Sequence, residues 1–198
     1  MKDTKEIILK VALGLFLQDS FKGVTMNQIV KLTGMSKGAF YHYFKSKEQL
    51  FEEILNSYFL DSVALDYSKF SKESLYQFGR DYLSEIEKSI VVPKGSTKLS
   101  PHHTNYFFLI FEGMKAFPSF RRKMNDNQKT ELAAWKTIVG TARKKREIKS
   151  RMTDEQIAKL FIFITDGVGT RLIMGNRLED MEDEILSLWD GLYNQLKA

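Results

Sequence analysis

The chain has no cysteine among its 198 residues, and this absence removes several kinds of chemistry. Disulfides, thiolate metal sites and cysteine nucleophiles are all excluded. Proline is scarce as well, and no stretch alternates between apolar and polar residues as a half-buried strand does. No uninterrupted apolar run approaches the roughly 18 residues that a membrane-spanning helix needs. Together these absences predict an all-α protein with no transmembrane helix.

Recognisable motifs of enzymes and metal sites are also missing. The sequence contains no phosphate-binding loop, no dinucleotide fingerprint and no zinc-binding His-Glu motif. His102 and His103 are adjacent, so on a helix their side chains point about 100° apart and suit one metal poorly. Asp166, in an apolar stretch, is a candidate buried base, but a hydrogen bond to a neighbouring hydroxyl or helix end is the favoured explanation. We therefore expect no enzyme, no cofactor and no metal.

Charge is unevenly distributed along the chain. Residues 1–50 contain eight lysines and four acidic residues, whereas residues 51–198 contain 22 basic and 21 acidic residues. The positive excess therefore lies near the start, where it favours an anionic partner such as nucleic acid. The charged sequence MKDTKEIILK is not a secretory hydrophobic segment, and with the missing cysteines it predicts a cytoplasmic protein.

The stretch from Thr25 to Lys47 has the spacing of a helix-turn-helix. Thr25 is a good N-cap, and Gln28 three residues later completes a capping-box pattern. Gly34 ends this short helix because glycine tolerates the left-handed conformation of many helix C-termini. Ser36 is a second N-cap, so the next helix begins after a turn of about three residues. The apolar side of the first short helix is expected to comprise Ile29, Val30 and Leu32.

The second short helix, Lys37 to Phe44, has the composition of a groove-reading helix. Its first turn combines a lysine with small residues, so its backbone can approach a phosphate closely. Phe40 and Phe44 are four residues apart and share one face, which we expect to be buried. The side chains expected to project and donate to phosphate oxygens are Tyr41, His42, Tyr43 and Lys45. Ser46 and Gln49 then repeat the capping-box pattern.

These residues carry a family resemblance. The segment GMSKGAFYHYFKSKEQLF resembles the DNA-binding signature of the TetR family of bacterial transcriptional regulators, over roughly residues 5 to 52. The resemblance implies DNA contacts at Thr25, Asn27, Ser36, Lys37, Gly38, Ala39, Tyr41, His42, Tyr43 and Lys47. Ala39 can touch a thymine methyl group but cannot form a hydrogen bond to a base, so we expect sparse base readout at this position.

Beyond this motif the periodicity predicts helices and no strands. Asp3 is the expected N-cap of the first helix. The remaining predicted elements are Ser46 to about Asp66, Ser71 to Ser89, a loop at 91–101, Pro101 to Lys115, Pro118 to Lys145, Thr153 to Met174 and Glu179 to Leu196. We assign about nine helices to two domains: a helix-turn-helix DNA-binding domain at 1–46 and a helical ligand-binding and dimerisation domain at 47–198.

The last two helices are candidates for self-association. The eighth helix is apolar around much of its circumference, and the ninth carries an apolar stripe. The resemblance implies a four-helix dimer interface, and we expect it to include Phe161, Ile164, Val168, Leu172, Ile185, Leu188, Trp189 and Leu192. The alternative is that both helices complete the core of a monomer. In a homodimer, two recognition helices would read half-sites about one DNA turn apart.

Aromatic residues and methionine are frequent on the fifth to eighth helices, and most must fill a core. The resemblance implies that a small-molecule effector binds among these helices and weakens DNA affinity. We expect a largely apolar or aromatic effector. The residues expected to line its pocket are Tyr82, Tyr106, Phe107, Phe111 and Trp135. A basic cluster over 143–151 is either a second anionic contact or, as we favour, a solvated helix end and loop.

The sequence therefore predicts a dimeric, sequence-specific DNA-binding transcriptional regulator. We expect a repressor that a small effector releases from a double-stranded DNA operator with a palindromic sequence. The main alternative is a helix-turn-helix DNA-binding protein with a filled core and no effector. A second alternative, an enzyme with an all-α pocket, would need converging polar groups, and no recognisable spacing supplies them.

Overall fold

The computed structural model describes residues 2–60, 64–89, 103–175 and 177–198. In these residues it contains nine α-helices and no β-strand, which confirms the all-α prediction. The helices are α1 (Lys2–Gly23), α2 (Met26–Thr33), α3 (Lys37–Tyr43), α4 (Lys47–Ile54), α5 (Leu75–Ser89), α6 (His103–Ala116), α7 (Pro118–Lys144), α8 (Asp154–Gly175) and α9 (Met181–Leu196). The loop predicted at 91–101 lies outside the described residues.

Two compact units share these helices. The first contains residues 2–60 and 103–124, and the second contains residues 64–89, 125–175 and 177–198. Each has its own group of buried apolar side chains. The predicted functional domains, 1–46 and 47–198, stay a prediction. Within the described ranges, no helix combines the length and hydrophobicity required to cross a membrane.

The first unit is built around the inner faces of α1, α3 and α4. Ile8, Ala12 and Phe16 of α1 are fully buried, and the ring of Phe16 lies 5.3 Å from that of Phe51 in an edge-to-face contact. Helix α1 begins at Lys2, so the predicted cap at Asp3 lies inside it. The helix is interrupted at Ser20, whose φ of 61° and ψ of 169° are not helical.

The end of the fourth helix differs from the prediction. Regular α-helix stops at Ile54 and continues as a π-helical segment, Leu55–Leu60, while residues 64–66 are not helical. Asp66, expected to lie at the helix end, instead caps a short 3₁₀ turn, because its carboxylate accepts hydrogen bonds from the amide and hydroxyl of Ser68. Local bonds of this kind compete with continued helix.

Close packing in the first unit depends on a glycine, Gly113, which has no side chain. Leu55 of the π-helical segment lies against Gly113 of α6, and a Cβ atom added at 113 would be 2.5 Å from Leu55 Cδ1. Real Cβ contacts essentially never come so close. The absence of a side chain at 113 therefore sets how closely α6 approaches this segment.

The second unit has an aromatic centre. The ring of Trp135 stacks on Phe161 at 5.2 Å and makes edge-to-face contacts with Phe78 and Trp189. Trp189 donates its indole N–H to the carbonyl oxygen of Phe161 over 3.1 Å. Offset and edge-to-face pairs of this kind add about 0.5–1.5 kcal/mol each beyond the burial of their area.

The predicted start of the fifth helix at Ser71 is wrong by several residues. Ser71 Oγ accepts hydrogen bonds from the amides of Glu73 and Ser74 in a preceding turn, and α5 begins at Leu75. Its N-terminus is capped from a distance, since the Glu147 carboxylate accepts from Leu75 N at 3.0 Å and from Ser74 Oγ at 2.9 Å. An anion is favourable at this end of a helix.

The basic cluster over 143–151 is partly structural. Arg143 pairs with Asp154 at 2.9 Å and donates to the carbonyl oxygens of Ser150 and Met152, so it holds the loop between α7 and α8. Lys145 pairs with Glu73. These contacts favour the helix-end interpretation of the cluster over a second anion site.

Candidate nucleic-acid interface and effector region

Helix α2 begins and ends as its sequence predicts. Thr25 Oγ1 accepts from the Gln28 amide at 3.3 Å, and Gln28 Oε1 accepts from the Thr25 amide at 2.7 Å, which completes the capping box. Gly34 has a left-handed φ of 66° at the C-cap. The predicted apolar side needs one correction, because Leu32 is 60% exposed. It lies about 110° around the helix from the middle of the face that Ile29 and Val30 bury, and so falls at its edge.

Helix α3 rests on the first unit through two phenylalanines. Ser36 Oγ accepts from the Ala39 amide at 3.3 Å and caps the helix as expected. Phe40 and Phe44 are both buried, which places the opposite side of the helix outward. The residues of the predicted DNA contact that are exposed are Thr25, Asn27, Ser36, Lys37, Gly38, Ala39 and His42.

The two tyrosines of α3 are less accessible than predicted. Tyr41 was expected to be exposed, but Tyr41 and Tyr43 are both half-buried and pack against the core of the first unit. The Tyr41 ring makes an edge-to-face contact with Phe40 at 5.7 Å. Because α3 has only seven residues, wide rings next to Phe40 and Phe44 reach the same core. The partial exposure of both residues still allows a DNA contact.

Lys47 has a structural role that its sequence position did not reveal. Its ammonium donates to the carbonyl oxygens of Phe21 and Val24, both at 2.8 Å, and lies 4.5 Å from the centre of the Phe21 ring. An ammonium has three donors, so one remains for a phosphate. Lys47 thus ties the first turn of α4 to the end of α1 and to the residue that follows it.

The predicted effector-lining residues do not form one group. Tyr82 and Trp135 lie together in the core of the second unit, with ring centres 5.3 Å apart. Phe107 is half-buried and Phe111 is 60% exposed, and both belong to α6 in the first unit. The side chain of Tyr106 lies outside the described residues. A cleft beside Trp189 and Gly79 in the second unit has a volume of only about 10 Å³ and is lined by none of the five.

A polar contact that sequence reasoning missed lies next to Tyr82 and Trp135. The Tyr82 hydroxyl donates to Glu131 Oε1 over 2.5 Å. Burial raises the pKa of the Glu131 carboxyl, the hydrogen bond from Tyr82 opposes this, and the charge of Asp166 adds to it. A signal was available, because Glu131 is four residues before Trp135 and so shares its face of α7.

Most residues of the predicted dimer interface fill the core of the second unit. Phe161, Val168, Leu172, Ile185 and Trp189 are buried within it, and Ile164 and Leu192 are half-buried. Leu188, by contrast, is 50% exposed on α9. The large apolar side chains that α8 leaves exposed are Leu160, Phe163 and Met174. At about 100° per residue, these three positions lie on one side of the helix. The dimer interface itself stays a prediction.

Residues 8–54, which form the helix-turn-helix and its flanking helices, match the model of the bacterial regulatory proteins of the tetR family. Over this stretch the chain is similar to the TetR family. QacR, an HTH-type transcriptional regulator of Staphylococcus aureus, is 50% identical over 52 residues, which are 26% of this chain and 28% of QacR. IcaR, a negative transcriptional regulator of a biofilm operon in the same species, is 27% identical over 92 residues, covering 44% of this chain and 50% of IcaR.

A likeness of fold extends beyond the matched stretch. The solved structure of the flavonoid-responsive regulator FrrA superimposes with a TM-score of 0.57 at 22% identity, covering 100% of this chain and 98% of that one. The sequence matches, in contrast, span no more than about half the length of QacR or IcaR. The similarity to the family therefore rests on the DNA-binding stretch, and the likeness of the remainder is one of fold.

Proposed function

We propose that the protein is a dimeric, sequence-specific DNA-binding transcriptional regulator that acts as a repressor. The observation that carries the proposal is the exposed surface of α2 and α3, seated on buried Phe40 and Phe44 within the stretch that is similar to the TetR family. A short helix held in this way presents its outer face to the major groove of DNA, which is wide enough to admit a helix.

The expected DNA contacts are of two kinds: contacts to phosphates, which position the protein, and contacts to bases, which read the sequence. Thr25, Ser36 and Lys37 are exposed near helix N-termini, where amides and hydroxyls suit phosphate oxygens. The half-buried Tyr41 and Tyr43 would reach phosphate with their hydroxyls, and Lys47 with its remaining donor. Base contacts fall to the outer face of α3, where Gly38 permits close approach and Ala39 offers a methyl contact to thymine. Asn27 and His42 complete the predicted set.

We further propose that α8 and α9 form the interface of a homodimer. Within one chain Leu160, Phe163 and Met174 leave exposed apolar side chains on α8, and Leu188 is a further one on α9. Exposed apolar side chains of this kind are typical of surfaces that another copy of the chain covers. The buried residues of the predicted interface would support this surface from beneath. A Phe163→Lys substitution should convert a dimer to a monomer in sedimentation, whereas Leu32→Lys, an equally exposed site on α2, should not.

Repression and release by a small molecule complete the proposal. IcaR, which resembles part of this chain in sequence, is named a negative regulator. FrrA, which resembles the whole chain in fold, is named flavonoid-responsive. An effector weakens DNA binding only if it binds better to the arrangement that fits DNA poorly. The aromatic centre of the second unit supplies a surface for such a ligand.

One observation favours the alternative without an effector. The rings around Trp135 contact one another, and the neighbouring cleft of about 10 Å³ has room for no more than a water molecule. A thermal-shift screen with small molecules separates the two functions. A ligand that both raises the melting temperature and weakens DNA binding supports the sensor, and a screen without such a ligand favours the filled core.

Selection from random duplex DNA at near-physiological salt tests DNA recognition directly. Recovery of a palindrome, with two half-sites about one helical turn apart, supports a dimeric regulator. Recovery of no preferred sequence, with only weak and salt-sensitive binding, would reject sequence-specific regulation.

A further inference from the structure

The first helix is broken three residues before its end. Ser20 of α1 has a φ of 61° and a ψ of 169°, a region of backbone conformation that residues with a side chain rarely occupy. Such a conformation costs free energy and persists only where the surrounding contacts hold it. The contacts made by the next residue, Phe21, show what holds it here.

Glu112 of α6 binds the backbone directly after the break. Its Oε2 accepts a hydrogen bond from the Phe21 amide over 3.2 Å, although the two residues are 91 positions apart in the chain. In an uninterrupted helix this amide would donate to a carbonyl oxygen four residues earlier. An acceptor on another helix thus stabilises the broken conformation at Ser20.

Lys47 of α4 binds the same residue from another direction. Its ammonium donates to the Phe21 carbonyl oxygen and lies 4.5 Å from the centre of the Phe21 ring. That ring stacks on Phe51 of α4, with 4.5 Å between the ring centres. The second hydrogen bond of Lys47 goes to the carbonyl oxygen of Val24, which directly precedes the N-cap of α2. Phe21 therefore connects Glu112 to Lys47.

We infer that Glu112 is a positioning residue for the DNA contact of Lys47, and that it acts through Phe21. The inference rests on the proposed function, since it names a residue on which one of the proposed phosphate contacts depends. With two donors bound to carbonyl oxygens, the third donor of Lys47 has a fixed direction. A donor that is already oriented meets a phosphate without the ordering cost of a free lysine side chain.

Loss of the Glu112 acceptor would undo this orientation. Without it, the strained backbone at Ser20 relaxes and the Phe21 carbonyl turns. The ammonium of Lys47 follows that carbonyl, or loses the bond to it. In either case its third donor no longer points in one direction.

The sign of the expected effect separates this role from simple electrostatics. A carboxylate near a DNA-binding surface repels phosphate, so removal of its charge alone should leave DNA affinity unchanged or raise it. Loss of the positioning hydrogen bond should instead lower the affinity. Glu112→Gln removes the charge but keeps a side-chain oxygen that accepts from the Phe21 amide, whereas Glu112→Ala removes both.

Glu53 of α4 provides a matched control. It is half-buried, as Glu112 is, and it also joins two helices of the first unit, because it accepts from Lys5 of α1 at 2.5 Å. Glu53→Ala therefore measures how the loss of a contact between helices affects DNA affinity while Lys47 keeps its two bonds.

Titration of a fluorescent DNA duplex over a range of salt concentrations tests the inference. Glu112→Ala should bind about tenfold more weakly than the natural protein. Its slope of log affinity against log salt should fall by about 0.9, the value for one phosphate contact. Glu112→Gln and Glu53→Ala should keep the natural affinity and slope. Unchanged affinity in Glu112→Ala, or an equal loss in Glu112→Gln, would overturn the inference.

A double-mutant cycle shows whether the effect passes through Lys47. In a Lys47→Ala background, Glu112→Ala should cause no further loss of affinity, because the donor that it positions is absent. The same tenfold loss in both backgrounds would mean that Glu112 supports the fold in general, and would overturn the inference. If melting curves show that Glu112→Ala does not fold, Glu112→Leu replaces it, since leucine fills similar space without an acceptor.

Ser20→Gly tests the part played by the strained backbone. Glycine adopts a positive φ without steric cost, so the break should depend less on Glu112. Adding Ser20→Gly to Glu112→Ala should therefore restore part of the lost affinity. No recovery would overturn the assignment of this coupling to the break at Ser20.

Failure of this inference and failure of the proposed function give different results. Phosphates are present on any duplex, so the salt slope can be measured on an operator or on random DNA. A protein that selects an operator, and whose Glu112 variants all bind it equally, would overturn the inference and leave the proposed function standing. A protein that prefers no sequence, but loses slope in Glu112→Ala alone, would reject sequence-specific regulation and keep the positioning role.

Discussion

The helix-turn-helix and the aromatic centre of the second unit arrange their polar groups differently. In α2 and α3 the caps join residues three positions apart, such as Thr25 with Gln28, and the lysine, amides and imidazole face outward. In the second unit, Tyr82 and Glu131, 49 positions apart, form a hydrogen bond within an aromatic core. The polar groups of α2 and α3 thus face solvent, whereas those in the core of the second unit already bond to one another.

The largest expected effect is a difference in stability between variants of Trp135 and Phe111, which were both predicted to line the effector pocket. Trp135→Ala should lower the free energy of unfolding by about 3–5 kcal/mol, because it empties the centre of a packed core. Phe111→Ala should change it by less than about 0.5 kcal/mol, because that side chain is 60% exposed. Urea denaturation followed by circular dichroism measures both. Equal losses would mean that Phe111 is covered in solution.

A smaller effect is expected for the lysine that joins helices within the first unit. Lys47→Ala should cost about 2 kcal/mol of stability, because it removes two charge-assisted hydrogen bonds to backbone carbonyls. It should weaken binding to all DNA sequences alike. Lys47→Arg keeps the charge but alters the geometry, so recovery of stability by arginine would show that charge alone suffices. An unchanged melting temperature in Lys47→Ala would contradict the structural role.

The exposed lysine of α3 provides the contrasting case. Lys37→Ala should leave the melting temperature unchanged while reducing the slope of log affinity against log salt by about 0.9, the value for one lost phosphate contact. Electrophoretic or fluorescence titrations over a range of salt measure this slope. A fall in stability without a change in slope would place Lys37 with Lys47 as a structural residue.

The smallest expected effect is a difference in pH dependence between two glutamates. Because the native pKa of Glu131 is raised above 4.5, chiefly by burial, the folded state binds its proton more readily than the unfolded state. This carboxyl therefore lowers stability as pH rises from about 4.5 through its raised value. Glu131→Gln should remove that decline, as measured by urea midpoints across pH.

Glu155 should behave in the opposite way. Lys159 first and then Lys136 lower its pKa to about 2, so its contribution is present above its ordinary value of 4.5 and is lost as pH falls towards 2. Glu155→Gln should remove only this acid-side decline, and the change should be small because the pair is exposed. Parallel curves for the two variants would show that the surroundings of Glu131 and Glu155 do not differ as described.

The sequence predicted most reliably the features that depend on residues close together in the chain. The capping box at Thr25, the cap at Ser36 and the left-handed Gly34 all follow from partners within four residues. The exposed residues of the candidate DNA surface follow from the same local pattern, because burying Phe40 and Phe44 turns the remainder outward.

Features that depend on distant residues were not predicted. Lys47 bonds to residues 26 and 23 positions earlier, and Glu147 caps a helix that begins 72 positions earlier. One local feature was also missed, since Asp66, expected at the end of the fourth helix, caps a short 3₁₀ turn. The predicted ligand site combined residues of α6, in the first unit, with residues of the second unit. Periodicity identifies the buried face of a helix but not the helices that pack against it.

The contact between Leu55 and Gly113 links two choices of amino acid 58 positions apart in the chain. Any side chain added at 113 meets the branched end of Leu55, so a methyl group gained on α6 must be matched by volume given up on the π-helical segment. Gly113→Ala alone should therefore destabilise the first unit, and Leu55→Ala alone should leave a cavity. The two changes together should cost less than their sum, so the size of the side chain at one position limits the size allowed at the other.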